Sequence, residues 1–234
     1  MINLGTYKGF GLALGDTSLE ANRLSLYCLL NDNILLKRFP KEEKCPEDFV
    51  PSSSVEWCEK SFDIPVVPDY YPDWCSQYLY RKVWREDKWI LGRKLFVKPA
   101  DRYKRFTGFI TTGTYKKKKK PPLIWSEILF FKNEWRYYIT KGKVVCGEWY
   151  WGDEENTPPA PELNIKIPED YSGALDFGEL ANGKLALIES QHPFACGWYG
   201  PKEKDHLYFQ WIIDGWNYMM NINKLLTSKE MNQL

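Results

Sequence analysis

The chain has 234 residues, enough for one large domain or two small ones with a real core and no need of disulfides. Hydrophobic residues at 44% and charged residues at 27% exclude a disordered chain and a membrane protein. A formal charge of +1 supplies no global field to attract nucleic acid or a membrane surface. The six cysteines form no C-x-x-C pair and only two histidines accompany them, so a zinc site is poorly supplied and reduced, buried thiols are expected. Met1-Ile2-Asn3-Leu4-Gly5 lacks a charged n-region followed by an apolar stretch, and no run approaches the roughly 18 apolar residues of a spanning helix. The expected location is therefore cytoplasmic, without membrane contact.

Residues 1–90 mix short apolar runs with turn-forming clusters and read as a small α/β domain. Within it, Leu19, Leu24, Leu26 and Leu30 give Thr17 to Asn31 the spacing of an amphipathic helix. Gly9, Gly11 and Gly15 lack the G-x-G-x-x-G spacing and read as loop or turn residues. The Pro- and acid-rich stretch Asp63 to Asp73 reads as a crossing loop leading into a helix around Trp74 to Trp84. From residue 91 the texture changes to strand-like runs: Lys94 to Lys98, Thr107 to Thr112, Leu123 to Phe130, Trp135 to Thr140, Val144 to Trp151, Ala174 to Leu180 and Lys184 to Glu189. A second, sheet-rich domain over 91–234 follows from this. It closes with a helix over His206 to Leu226 whose Leu207, Trp211, Ile212, Trp216 and Met219 dock on the rest.

Asn182-Gly183 suits a two-residue type I′ hairpin, in which both positions take positive φ. That turn pairs Ala181 with Lys184 and Leu180 with Leu185, which carries Phe177 opposite Ile188 and Asp176 opposite Glu189. Opposed side chains share a face with Cβ atoms roughly 5 Å apart, so two carboxylates there call for a positive charge between them. Gln191 falls on the same face as Glu189 by the period of two, and hard oxygen donors of the kind Mg²⁺ takes predict a divalent-cation site of Asp176, Glu189 and Gln191. The competing reading is an exposed strand face, solvated or paired with lysines such as Lys184.

Taken in order, Phe96-Val97-Lys98-Pro99, Lys104-Arg105-Phe106-Thr107-Gly108, Ser126-Glu127-Ile128, Glu134-Trp135-Arg136, Asp176 and Glu189-Ser190-Gln191 resemble the ATP-grasp superfamily. More narrowly, the chain is similar to the clade of that superfamily named for two arginines and a lysine, found often in bacteria and phages. The likeness covers about residues 90–200 and lies in the order and spacing of the motifs. Asp48 to Trp84, with Val50-Pro51-Ser52-Ser53-Ser54-Val55-Glu56 and Arg81, is similar to the domain that precedes ATP-grasp in this clade. The implied fold is α+β, two α+β lobes gripping ATP, preceded by a small α/β pre-ATP-grasp domain.

What the resemblance implies for single residues is specific. Lys98 and Lys104 reach different phosphates, and the loop between them, through Gly108, is a lid. Glu127 and Ile128 match the hinge strand that reads adenine, and Glu134 matches the ribose carboxylate. Arg136, on the strand face of Glu134, aims into the cleft to hold a phosphate or a substrate carboxylate, with Lys104 beside it in catalysis; its other reading is an ion pair with Glu134. Where the family commonly has an E-x-N pair, this chain has Glu189-Ser190-Gln191. The implied activity is an ATP- and Mg²⁺-dependent ligase that joins a carboxylate to an amine through an acylphosphate, acting on small-molecule or peptide substrates. Their pockets would be built partly by the N-terminal domain and by loops such as Asp153 to Pro161. The alternative is a nucleotide-binding or nucleic-acid-binding module on a degenerate scaffold. Lys116 to Lys120 read either as a solvated loop or as a patch for phosphate-bearing ligands, and the balanced total charge speaks against nucleic acid.

Overall fold

The computed structural model describes residues 2–62, 69–90, 92–100, 106–112, 122–193 and 196–231, without the side chains of 228–231. Its first unit runs β1 (Gly9–Ala13), α1 (Leu19–Leu29), β2 (Leu35–Phe39), β3 (Phe49–Pro51) and α2 (Val55–Cys58). The strands form a parallel sheet in the order β2-β1-β3. Every residue of β1 is buried, so Gly9 and Gly11 lie inside the strand and not in a loop, while Gly15 does occupy the turn that follows. α1 starts at Ser18, whose hydroxyl accepts from the Ala21 amide. Its inward face is Ala21, Leu24 and Cys28, whereas Leu19, Leu26 and Leu30 are exposed. The helix forms as expected, on a different face: 21, 24 and 28 are equally helical in spacing, and leucine is also an ordinary surface residue.

The expected helix over 74–84 does not form. A 3₁₀ turn spans Asp73–Tyr78, Tyr80 takes a left-handed φ of 48°, and β4 (Val83–Arg85) follows. With β5 (Leu95–Pro99), β6 (Phe109–Thr111) and β7 (Leu123–Ser126) it makes an antiparallel sheet in the order β4-β7-β5-β6. Branched and aromatic Val83 and Trp84 gain more from that pairing than from a solitary helical turn. Alternation puts Leu95 and Val97 of β5 into a core with Leu123 and Trp125, and turns Phe96 to the opposite face.

The third sheet is antiparallel, β8 (Glu134–Thr140), β9 (Lys143–Trp151), β10 (Gly173–Glu179) and β11 (Leu185–Gln191) in the order β11-β10-β8-β9. On one face Trp135, Tyr137 and Ile139 pack with Leu175, Phe177 and Leu187. On the other, Tyr138 and Ala174 join a core shared with Phe10, Leu24 and the final helix α3 (Asp205–Met231), which contributes Phe209, Trp211 and Trp216. No helix among the described residues is long and apolar enough to cross a membrane.

The β10–β11 hairpin departs from the expected turn. Leu180 N donates to Lys184 O and Gly183 N to Leu180 O, both at 2.9 Å, which leaves Ala181-Asn182-Gly183 as a three-residue loop. Gly183 has φ 78°, whereas among the described non-glycine residues only Tyr80 and Lys141 have positive φ, so Asn182 does not. This is the loop class with one left-handed glycine, not type I′. The extra loop residue shifts Phe177 onto Leu187 in place of Ile188. A bulge at Ile188 then takes the shift back, and Asp176 faces Glu189 after all.

Candidate functional site

Between the second and third sheets lies a cleft of about 630 Å³, within the usual range for a small-ligand site. Phe96, Phe109, Ile128, Leu129 and Phe131 give it apolar walls, and Lys98, Glu134 and Glu189 bring charge to it. The segment after β7 crosses between the sheets. It is pinned where Glu127 N donates to Lys82 O at 3.1 Å and Lys82 N donates to the Glu127 carboxylate at 3.0 Å. Gly108 must lack a side chain, because a Cβ there would run into the Phe96 ring and the Lys98 stem.

Lys98 sits on the cleft face of β5 and is 8% exposed. Its ammonium donates to Glu189 Oε2 at 2.5 Å and lies 4.1 Å from the Tyr70 ring centroid and 4.6 Å from that of Tyr71. Gln191 Nε2 donates to the other Glu189 oxygen. Asp176, 2% exposed, receives Arg136 Nε and Nη2, each at 2.8 Å, in a two-pronged pair. Arg136 Nη1 reaches Gly197 O at 3.4 Å, and the guanidinium lies beside the rings of Tyr150 and Tyr199. Register places Glu189, Asp176, Arg136 and Glu148 in one cross-strand row, with Lys204 closing it on Glu148 at 2.8 Å. Signs along the row alternate except at Asp176 and Glu189, where like charges stand side by side.

Glu134 accepts from Tyr150 Oη at 2.7 Å, so it does not form the ion pair with Arg136 that was its simplest alternative. Burial pushes its carboxyl pKa up, Asp176 and Glu189 push the same way, and the Tyr150 hydrogen bond pulls back. Burial also opposes the charge on Arg136, but negative groups around it, Asp176 among them, outweigh that and raise its pKa.

Residues 78–208 match a family described as an ATP-grasp domain, the second family of the clade named for two arginines and a lysine. The chain belongs to that family. Solved structures of similar fold include N5-carboxyaminoimidazole synthetase from Staphylococcus aureus, 10% identical over 92% of this chain and 79% of that one, with a TM-score of 0.51. A RimK domain ATP-grasp protein from Sphaerobacter thermophilus is 10% identical over 89% of this chain and 99% of that one, also at 0.51. No curated protein matches in sequence.

In this cleft the structure gathers Lys98, Glu127, Ile128, Glu134 and Glu189, with Asp176, Gln191 and Arg136 adjoining. Lys104 and Arg105 of the expected lid, and the Lys116 to Lys120 run, lie outside the described residues. Among the described residues no group of three or more His, Cys, Asp and Glu is placed to hold a metal. Two carboxylates and an amide have the donor chemistry Mg²⁺ takes, but Arg136 holds Asp176 and Lys98 and Gln191 hold Glu189, so the ion would have to displace some of these donors. Sequence reasoning passed over Tyr70, Tyr71 and Tyr150, the aromatic partners of Lys98 and Glu134, since a tyrosine suits core and cleft alike.

A second cavity, about 710 Å³, opens at the C-terminal ends of β1 and β3. In the order β2-β1-β3 the chain leaves β1 toward one neighbour and returns on the other side, the kind of switch point where parallel sheets bind ligands. Ser53, Glu20 and Lys60 line it, and its far wall is Pro193, Cys196 and Gly197 of the loop after β11. Gly197 O is the acceptor for Arg136 and for Tyr138 Oη, so the Arg136 side chain spans from this wall to the row of charges.

Proposed function

We propose that the chain is an ATP- and Mg²⁺-dependent ligase that joins a carboxylate to an amine through an acylphosphate. The observation that carries the reading is the adjacent pair Asp176 and Glu189, with Lys98 held against it at the end of the cleft. Adenine lies along the Glu127-Ile128 segment between apolar walls, Glu134 takes the ribose hydroxyls, and Lys98 takes a phosphate. Lys104 takes a second phosphate as the resemblance implies, and the lid keeps water from the acylphosphate. Asp176, Glu189 and Gln191 would hold Mg²⁺, which when bound neutralises charge on the transferring phosphoryl group. The pre-ATP-grasp-like domain lies within residues 1–90, short of β4, which joins the second sheet, and its cavity at β1 and β3 receives the acceptor substrates. Arg136 orients the substrate carboxylate. Its oxygen attacks the γ-phosphorus and ADP leaves; the amine nitrogen then attacks the acyl carbon and inorganic phosphate departs, the nitrogen giving up its proton to solvent.

Calorimetry of Mg-ATP against wild type and Glu189→Gln tests the site, and release of ADP and phosphate with panels of acid and amine tests turnover. Binding weakened at least tenfold in the variant is the expected result; no nucleotide binding by the wild type would sink the reading. The second reading, nucleotide binding without turnover, draws on Gln191, whose amide turns its nitrogen toward Glu189. Binding with no ADP released for any pair would favour it.

A further inference from the structure

Arg81 belongs to the lead-in of β4, in the second sheet, yet its side chain crosses to the third. Nη1 donates to Leu187 O at 2.7 Å and to Leu79 O at 3.2 Å, and Nη2 donates to Ile188 O at 3.0 Å. Leu187 and Ile188 are where β11 bulges. A bulge breaks the regular ladder, and β11 is the outer strand of its sheet, so among the described residues these carbonyls have no neighbouring strand on that side. The next anchor on the same edge is Ser190, whose amide donates to Tyr70 O at 2.9 Å and whose hydroxyl donates to Asp69 O at 2.5 Å. Glu189 lies between the two clamps. Without the bulge, the three-residue loop would leave Ile188 and not Glu189 opposite Asp176, and the second carboxylate would point to the other face.

We infer that Arg81 is a positioning residue of the cation site: by gripping the two bulge carbonyls it holds Glu189 in register with Asp176. A planar fork suits the task, since it meets two successive carbonyls at once, whereas an ammonium is a single point of attachment. The inference rests on the ligase reading, through the assignment of Glu189 to Mg²⁺.

The experiment is the Mg²⁺ concentration that gives half of the ATP-induced rise in melting temperature, at saturating ATP, for wild type, Arg81→Lys and Arg81→Met. Groups that orient a metal ligand typically matter by about 10- to 100-fold in metal affinity. The expected midpoint therefore rises roughly tenfold or more in Arg81→Met and by less in Arg81→Lys, with the full temperature rise regained at high Mg²⁺. If the ligand-free melting temperature falls while the midpoint stays at the wild-type value, Arg81 only braces the fold and the inference is overturned. If ATP affinity falls equally at all Mg²⁺ concentrations, Arg81 contacts the nucleotide and the inference is likewise overturned. A wild type with no Mg²⁺-dependent response removes the metal assignment itself, and the role of Arg81 with it. Should Arg81→Met fail to fold, Arg81→Lys carries the comparison alone.

Discussion

Glu134 is half-buried near two other carboxylates and has a hydrogen-bond donor, Tyr150, as compensation. Its folded pKa is raised above the ordinary 4.5, so between those two values the folded chain binds more protons than the unfolded one. Stability then falls as pH rises through that window, and above it the ionised carboxylate is a standing penalty. Glu134→Gln keeps an acceptor for Tyr150 and removes the charge. The expected outcome is a melting temperature at about pH 7 that equals or exceeds wild type, with a flatter pH profile from about 4.5 upward. ATP affinity should fall in the same variant, since a neutral amide is a weaker partner for ribose hydroxyls than a carboxylate. Thermal unfolding across pH together with nucleotide titration checks both. A lower melting temperature at neutral pH would mean that the carboxylate is favourably held in a way its raised pKa contradicts.

At the scale of elements, the β10–β11 hairpin shows what was legible in the sequence and what was not. Asn182-Gly183 marked the turn correctly, and the pairing of Asp176 with Glu189 followed from it. The loop nevertheless has three residues, and the register expected for Phe177 fails. Two displacements cancel: one residue added at the loop, one added at Ile188. Neither is visible in local spacing, because a bulge is fixed by a distant partner, here the Arg81 side chain, and not by the strand's own residues. The α1 face was misread for a related reason, since only the packed sheet distinguishes Ala21, Leu24 and Cys28 from the exposed leucines. The strands from β5 onward were readable because alternation and turn residues act within a few positions, whereas β4 was expected as part of a helix. The loop geometry yields a comparison. A Cβ added at Gly183 would meet nothing within 4 Å, and φ there is 78°, so Gly183→Ala meets backbone strain alone, about 1 to 2 kcal/mol. Asn182→Ala loses only an exposed bond in which its side chain accepts from Lys184 N at 3.1 Å, worth about 0.5 to 1.5 kcal/mol at most. Urea unfolding should therefore rank Gly183→Ala as the more costly; equal costs would point to two positive-φ positions and a type I′ turn.

Across the whole molecule, one core binds the parallel sheet to the third sheet through α3. Phe10 and Leu24 come from the first unit, Tyr138 and Ala174 from β8 and β10, and Phe209, Trp211 and Trp216 from the helix. Trp211 is the joint: it is fully buried, its Nε1 donates to Gly173 O at 2.8 Å, and its ring stands edge-on to Tyr138 at 5.1 Å. The first unit has only three strands, and α3 helps to cover it, so it does not carry a closed core of its own. Unfolding of the two units should consequently be coupled. Trp211→Ala removes a large side chain and leaves Gly173 O without its donor, at a cost of about 3 to 5 kcal/mol. That is a large share of the roughly 5 to 15 kcal/mol typical of a whole domain. The expected result in urea is a midpoint shifted well below wild type, with circular dichroism and tryptophan fluorescence still moving together. Two separated transitions, with only one displaced by the substitution, would show that the units fold apart and that the cavity at β1 and β3 has a wall free to move relative to Arg136.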